Sequence, residues 1–376
     1  MLLRRASLTF TLGLLAVCNS AFGQTQAATV DEILTAAATA VGSAQDIQQI
    51  RSIVAIADCT GPKGKYTTSI SSFRDNKTQF SQTYSYRKPS NVFINGDLVW
   101  EKNADTGELV ISDPFQRMVS RLHEYQKMAF DPRAFFDDLE FAGVEEFNGR
   151  PSIKIAAKNE LNMAAFLYFD TENKRLNGYK LLIPNSTDTV TNIFTEWKKV
   201  GRVTLPSVVN AIDSSGVRTL SFHTIKLNAA DPKPLEIPPR IADMAELLRM
   251  HEEQKTAHLT YDAELMVGDY PERPTTVQRG NVVKRTRAED MARFKAYFGS
   301  FKFLEWEDIA PPVIRISKDG TMATKIVQKR VRGISKDKDG KEITEHVVYA
   351  WLEVLEKIDG KWRLVTIAST EKDGNK

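Results

Sequence analysis

The chain has 376 residues, with 51 basic and 48 acidic side chains and a formal net charge of +3 at pH 7. These charges are spread evenly: residues 24–240 carry 25 basic and 25 acidic side chains, and residues 241–376 carry 24 and 23. Neither part is basic enough to neutralise a phosphate backbone, so we expect no nucleic-acid partner. The length exceeds that of a usual single core and predicts two domains.

The first 23 residues have the layout of a secretory signal peptide. Two arginines precede an apolar run that ends at Val17, and small residues follow as far as Gly23. This run is too short to span a membrane. We therefore expect cleavage near Gly23, secretion to the periplasm and no transmembrane span. Acylation of Cys18 is not expected because Val17 is not small, and Cys59 is then left without a partner for an internal disulfide.

Residues 24–228 are predicted to form a first domain that is mostly antiparallel sheet. A helix-like segment, VDEILTAAATAV, comes first, and short runs of alternating polarity follow, such as TQFSQTYSYRKP. Dipeptides such as Asn95-Gly96 and Asn177-Gly178 lie between the runs and are typical of hairpin turns. The segment FDPRAFFDDLEFAGV, which begins at Phe130, predicts a further helix.

A curved sheet of this size either fills its inner face with side chains or leaves an apolar cavity beneath covering helices. Aromatic residues in the predicted strands suit such a cavity. We therefore take Tyr84, Tyr86 and Trp100 as candidate ligand-binding residues. For any one of them, a place in the core is the simpler interpretation.

Two further segments stand in this domain: RKPS, with Arg87 and Pro89, and NGDLVWEKNADTGEL, which begins at Asn95. Together with the order of elements they resemble the LolA/LolB family of periplasmic lipoprotein carriers. In that family arginine is followed directly by proline, whereas here Lys88 stands between Arg87 and Pro89. The family usually has aspartate at the position of Asn95. Over residues 28–228 the resemblance implies a half-open antiparallel β-barrel with a helical lid and a site for an apolar or lipid-like molecule.

The segment NAADPKPLEIPPR contains four prolines, which favour extended backbone, and we place a linker at residues 229–240. Residues 241–376 then form a second domain. In it, Met244, Leu248 and His251 recur at steps of four and three, and His258 lies two turns further on, which predicts a helix from residue 241 to 267. The segment AEDMARFKAYFGSF predicts a second helix, and strands follow.

The segments VVKRTRAED, SKDGTMA and EKIDGKWRLV of this domain are similar to the SnoaL-like group of the nuclear transport factor 2 superfamily. The resemblance covers nearly all of residues 241–372. It implies an α+β cone, in which a bent antiparallel sheet wraps the long helix and encloses a pocket. Such domains frequently pair through the exposed face of the sheet, so we consider a homodimer.

The segment HEEQKTAHLTYD, residues 251–262, holds most of the candidate site residues of the second domain. His251 and His258 are seven residues apart, whereas a zinc-binding pair on a helix needs a spacing of four, so we expect no metal and no cofactor. Both lie on the apolar face of the helix. We therefore take His251, His258 and Tyr261 of this segment as candidate ligand-binding residues, together with Trp351 from a predicted strand.

A catalytic alternative uses the same segment. His258, with Tyr261 and Asp262, could move a proton next to a carbonyl group, as in an isomerase or dehydratase. That chemistry needs a second polar group from the sheet, for which His346 and Tyr349 are the candidates. We favour a non-catalytic binding protein, because buried histidines are more often structural.

Overall fold

The structure is a computed structural model, which describes residues 29–183 and 187–374. The signal peptide expected at residues 1–23, with Cys18, lies outside the described residues. No helix in the described ranges is long and apolar enough to cross a membrane.

Seven α-helices lie in the described residues: α1 (Val30–Val41), α2 (Ala44–Gln48), α3 (Pro114–Arg121), α4 (Tyr125–Met128), α5 (Pro239–Thr260), α6 (Ala263–Met266) and α7 (Arg287–Ser300). Capping boxes at Thr29 and Thr286 start α1 and α7, both of which the sequence predicted. The predicted helix to residue 267 is interrupted, because Tyr261 adopts a left-handed conformation with φ of 60° that ends α5.

Thirteen strands form the first sheet: β1 (Ser52–Gly61), β2 (Gly64–Phe73), β3 (Lys77–Tyr84), β4 (Ser90–Asn95), β5 (Leu98–Lys102), β6 (Leu109–Ile111), β7 (Asp138–Phe147), β8 (Arg150–Lys158), β9 (Ala164–Asp170), β10 (Leu176–Leu182), β11 (Thr189–Val200), β12 (Val203–Asp213) and β13 (Gly216–Leu227). Two antiparallel meanders, β1–β6 and β7–β13, are joined where β1 pairs with β13. In the described residues β6 and β7 remain the two edges, so the sheet is an open barrel.

Two local predictions for this sheet are wrong. The segment after Phe130 forms a short 3-10 helix, Pro132–Ala134, and then enters β7, because its backbone pairs with β8 instead of continuing as a helix. Asn177-Gly178 is not a turn but lies inside β10, where the register with β9 shifts. Gly178 has a φ of +155°, and a Cβ atom there would lie 2.1 Å from the carbonyl oxygen of Asn192.

The first core lies between this sheet and the helices α1, α3 and α4. Ile33 of α1 and Met118 of α3 pack in one cluster with strand residues such as Leu167, Phe194 and Leu220. We call this unit, α1–α4 with β1–β13, the half-barrel.

The second sheet contains β14 (Thr275–Gln278), β15 (Asn281–Lys284), β16 (Lys302–Asp308), β17 (Val313–Ile316), β18 (Met322–Lys336), β19 (Glu342–Ile358) and β20 (Lys361–Asp373). Its order is β15-β14-β20-β19-β18-β16, with β17 also paired to β18. All its pairs are antiparallel except β14 with β20. Helices α5, α6 and α7 contribute to one core with this sheet, and we call the unit the cone. The α+β class with two sheets is confirmed.

The segment between the two units contacts the half-barrel. It contains a short 3-10 helix, Lys233–Leu235, whose Leu235 is buried. The side chain of Asn95, at the end of β4, donates a hydrogen bond to the carbonyl oxygen of Leu235 at 2.9 Å. The domain boundaries at residues 228 and 241 stay a prediction.

Candidate ligand-binding cavities

The half-barrel contains a cavity of about 180 Å³ between α3 and the sheet. Helix α3 places Phe115, Met118 and Val119 on one wall. The opposite wall is formed by strand residues that are mostly apolar: Tyr66, Tyr179, Leu181, Val190, Asn192, Ala211, Arg218 and Leu220. An apolar cavity of about 150 Å³ in another protein holds benzene, so this space suits a ring or a short run of an acyl chain.

The polar groups in this wall are almost all uncharged at neutral pH. Burial raises the pKa values of Tyr125 and Tyr179, so both phenols stay protonated. Burial lowers the pKa of His123, whose Nδ1 atom lies 2.7 Å from the carbonyl oxygen of Val119 and donates to it. The guanidinium of Arg218 is paired with Asp213. The cavity therefore offers no free charge to a ligand.

The three aromatic residues predicted to bind a ligand here do not line the cavity. Tyr84 stacks on Tyr66, a wall residue, with 5.4 Å between the ring centroids. Tyr86 is 43% exposed beside Tyr84. Trp100 is fully buried and stacks on Phe93. Because neighbours in a strand point to opposite faces, Trp100 lies across β5 from Val99, a member of the core.

The cone contains a larger pocket of about 530 Å³ between its sheet and the helices α5 and α7. Aromatic rings form much of its wall: Tyr270, Phe294, Tyr297, Trp306, Tyr349 and Trp351, together with His258. Charged side chains line it as well: Arg279, Arg285, Arg293 and Glu371. The pocket thus combines apolar rings with several guanidinium groups.

His258 is an uncharged residue in the wall of this pocket. Its ring lies flat on Trp306, with 3.6 Å between the centroids, and its Nδ1 atom is 2.6 Å from the carbonyl oxygen of Gln254. Burial lowers the pKa of His258 to about 4. Since a carbonyl oxygen only accepts, the neutral ring carries its proton on Nδ1 and a lone pair on Nε2.

Beneath this pocket lies a fully buried ion pair. Lys325 of β18 and Glu353 of β19 are opposite each other, with 2.7 Å between Nζ and Oε2. The other carboxylate oxygen of Glu353 accepts hydrogen bonds from Gln254 of α5 and from the indole of Trp351. Two residues that line the pocket are therefore held by one buried carboxylate.

A second group of charges connects α5 with β16 and β18. Asp308 lies 2.9 Å from Nε2 of His251 and 2.9 Å from Nζ of the buried Lys329. Burial acts to raise the pKa of Asp308, but the bonds from His251 and Lys329 outweigh it and lower the pKa. Burial also lowers the pKa of His251, which is therefore neutral and donates through Nε2.

His251, Glu252 and Asp308 each place one possible metal-ligating atom within 4.8 Å of the others. The ammonium of Lys329 already neutralises Asp308 and repels a cation at the same place. The ion pair and the histidine hydrogen bond account for this cluster.

The other predicted residues of the long helix do not join His258. Tyr261 is 41% exposed, and its hydroxyl accepts a hydrogen bond from the backbone N–H of Phe303 at 3.1 Å. Asp262 caps α6 by accepting from the backbone N–H groups of Glu264 and Leu265. Of the residues predicted for the cone, the structure brings only His258 and Trp351 together in the 530 Å³ pocket. Tyr349, named as a sheet partner, lies in the same pocket.

No protein-family model and no curated protein matches the chain. Among solved structures, the chain is similar to a LolA superfamily protein from Nitrosomonas europaea, with 13% identity and a TM-score of 0.43, over 56% of this chain and 98% of that one. It is similar to a domain described as an outer membrane lipoprotein-sorting protein from Vibrio parahaemolyticus, with 10% identity and a TM-score of 0.36, over 49% and 88%. It is also similar to an NTF2-like protein from Cytophaga hutchinsonii, with 19% identity and a TM-score of 0.28, over 34% and 96%. These are the two types of fold that the sequence resembles, and the likeness says nothing of ligand or activity.

Sequence reasoning missed the buried charges of the cone. In TMATKIVQKRV both sets of alternating residues mix polar and apolar side chains, so the pattern does not reveal that Lys325 and Lys329 face inward. In AWLEVLE, Leu352 and Val354 suggest one inner face, whereas the structure buries Glu353 and Leu355. Trp351 was the sequence signal for the inner face, because Trp351 and Glu353 lie on the same face of β19.

Proposed function

We propose that the chain is a secreted, periplasmic, non-catalytic binding protein of two domains, divided at residues 229–240. Its half-barrel holds an apolar or lipid-like molecule. The observation that supports this function is the cavity under α3, whose walls are mostly apolar and whose ionisable groups are neutral or paired. Burial of apolar surface drives the binding of such a ligand, at about 25 cal/mol per Å².

Helix α3 acts as the lid. Arg117, near its middle, is paired with Asp97 at 2.6 Å and with Glu160 at 2.5 Å, so that the lid is tied to two separate loops. Phe115 is 47% exposed although it lines the cavity, which places it at the mouth. A ligand longer than the cavity extends out of it past Phe115 or displaces α3.

The cone acts as a second binding or dimerisation module. The outer face of its sheet carries an apolar row, in which Val313, Ile326, Leu352 and Ala368 are paired from strand to strand. Ile326 is 50% exposed and Leu352 is 39% exposed. A second copy of the chain covers this row through the same face, which suits a twofold-symmetric interface.

The isomerase or dehydratase alternative is not favoured. The neutral His258 is fixed by its bond to Gln254, while Tyr261 and Asp262 are engaged at other places. The three side chains do not converge on one reacting atom, as acid–base catalysis requires.

The test is a titration with N-phenyl-1-naphthylamine, a neutral dye that fluoresces in apolar surroundings. Ala211 lines the cavity, so Ala211→Phe fills it, whereas Ile212→Phe on the same strand points to the other face and is the control. We expect saturable binding to the wild type and Ile212→Phe and a loss of that site in Ala211→Phe. Equal binding by all three proteins contradicts a site in the half-barrel.

A further inference from the structure

The charges at the mouth of the cone pocket are not balanced. Arg285 and Arg293 share a single acidic partner, Asp290, at 3.8 Å and 3.2 Å. Arg279 has Glu371 to itself. Within these ion pairs three guanidinium groups meet two carboxylates, an excess of one positive charge.

The interior of the pocket does not compensate for this excess. The Lys325–Glu353 and Lys329–Asp308 pairs are each neutral as a whole. His258 is uncharged at neutral pH, because its pKa lies near 4. An anion that binds at Arg285 and Arg293 thus meets two guanidinium groups that share one carboxylate, that of Asp290.

Aromatic rings form the inner wall of the same pocket. Trp306 is 94% buried and belongs to this wall through its ring, because its Nε1 atom is itself buried. Trp351 and Tyr349 lie 6.3 Å and 6.2 Å from the ring of Trp306, and these rings favour a flat ligand.

We infer that the cone pocket binds a monoanionic small molecule with a planar ring, whose anionic group lies between Arg285 and Arg293 and whose ring lies against Trp306 and Trp351. This inference deepens the role proposed for the cone and does not depend on the half-barrel cavity. A volume of about 530 Å³ lies within the range of small-molecule sites, about 300–1,000 Å³.

Two dyes with the same ring system distinguish the effect of ligand charge on binding from the effect of ligand shape. 8-Anilino-1-naphthalenesulfonate carries one negative charge, and N-phenyl-1-naphthylamine is its neutral counterpart. We expect the anionic dye to bind the full chain saturably, and Arg293→Gln to weaken it about fivefold by removing a charged contact that is partly exposed. Arg293→Lys keeps the charge and most of this affinity, and the neutral dye is unaffected by Arg293→Gln.

Neighbouring residues of β20 locate the site. Ser369 lines the pocket and Thr370 points away from it, so Ser369→Phe blocks the pocket and Thr370→Phe is the matched control. We expect only Ser369→Phe to abolish binding of the anionic dye. Ala211→Phe, which fills the half-barrel, leaves this binding intact even if the half-barrel proposal fails. Unchanged affinity in Arg293→Gln or Ser369→Phe overturns the inference, as does loss of the anionic dye in Ala211→Phe.

Discussion

Lys325 and Glu353 face each other across β18 and β19, 2.7 Å apart and with no exposure to solvent. Removing two charges from water costs several kcal/mol for each ion, and the pair recovers this only when all its polar atoms have partners. The Glu353 carboxylate meets that condition through Gln254 and Trp351, whereas Nζ of Lys325 has no hydrogen-bond acceptor among the described residues besides its ion-pair partner. The pair therefore fixes the position of two residues of the cone pocket.

Breaking this ion pair on one side should destabilise the cone strongly. Lys325→Met leaves the Glu353 carboxylate buried without its cation, and we expect a loss of about 3–5 kcal/mol in the free energy of unfolding. The double variant Lys325→Met/Glu353→Leu removes both charges and should recover much of that loss. Urea denaturation followed by tryptophan fluorescence measures both. A single variant as stable as the wild type would show that the pair is not buried.

Stability should fall in mild acid because of His258. The folded protein lowers its pKa from 6.5 to about 4, so the unfolded chain binds a proton first as the pH falls. Above pH 6.5 the titration of His258 does not change the free energy of unfolding. Between pH 6.5 and 4 it lowers that free energy by up to about 3 kcal/mol.

The variant His258→Phe isolates this contribution, because it keeps a ring on Trp306 but cannot titrate. We expect its urea midpoint to depend less on pH than that of the wild type. Some dependence remains, since burial also lowers the pKa of His251. Parallel pH profiles for the wild type and His258→Phe would contradict the assignment.

The outer face of the cone sheet should hold a dimer together. Ile326→Glu places a charge in the middle of the apolar row, so we expect sedimentation velocity to show a dimer for the wild type and a monomer for this variant. Val217→Glu, at a residue of the half-barrel that is 52% exposed, is the control and should stay dimeric. A monomeric wild type at high concentration rules the interface out.

Gly178 should be intolerant of any side chain. A Cβ atom at this position meets the carbonyl oxygen of Asn192, a wall residue of the half-barrel cavity, at 2.1 Å. We expect Gly178→Ala to destabilise the half-barrel by about 2 kcal/mol or more. Gly201→Ala, at a turn with a positive φ but open space, should cost about 1 kcal/mol. Equal thermal shifts for the two variants would contradict the close contact.

The sequence predicted the elements that depend on local signals. The amphipathic segment AEDMARFKAYFGSF predicted α7, and runs of alternating polarity predicted the first sheet. Local signals misled where a tertiary contact decides the conformation. Asn177-Gly178 has the composition of a turn, but the close approach of β11 requires the glycine inside a strand.

The candidate site was harder to predict, because its charged residues depend on pairing between distant strands. Lys325 and Glu353 are 28 positions apart, and each alone suggests a solvent-exposed face. Only the register of β18 against β19 places them together. His258 and Trp351 were found because aromatic and histidine side chains on an apolar face already indicate an inner position.

The most direct test of a ligand in the half-barrel is native mass spectrometry of residues 24–376 purified from a periplasm, before and after solvent extraction. The proposed function predicts an acyl-chain or similar apolar species bound at one molecule per chain in the wild type and Ile212→Phe, and absent from Ala211→Phe. An empty wild type, or the same species retained by Ala211→Phe, would contradict it.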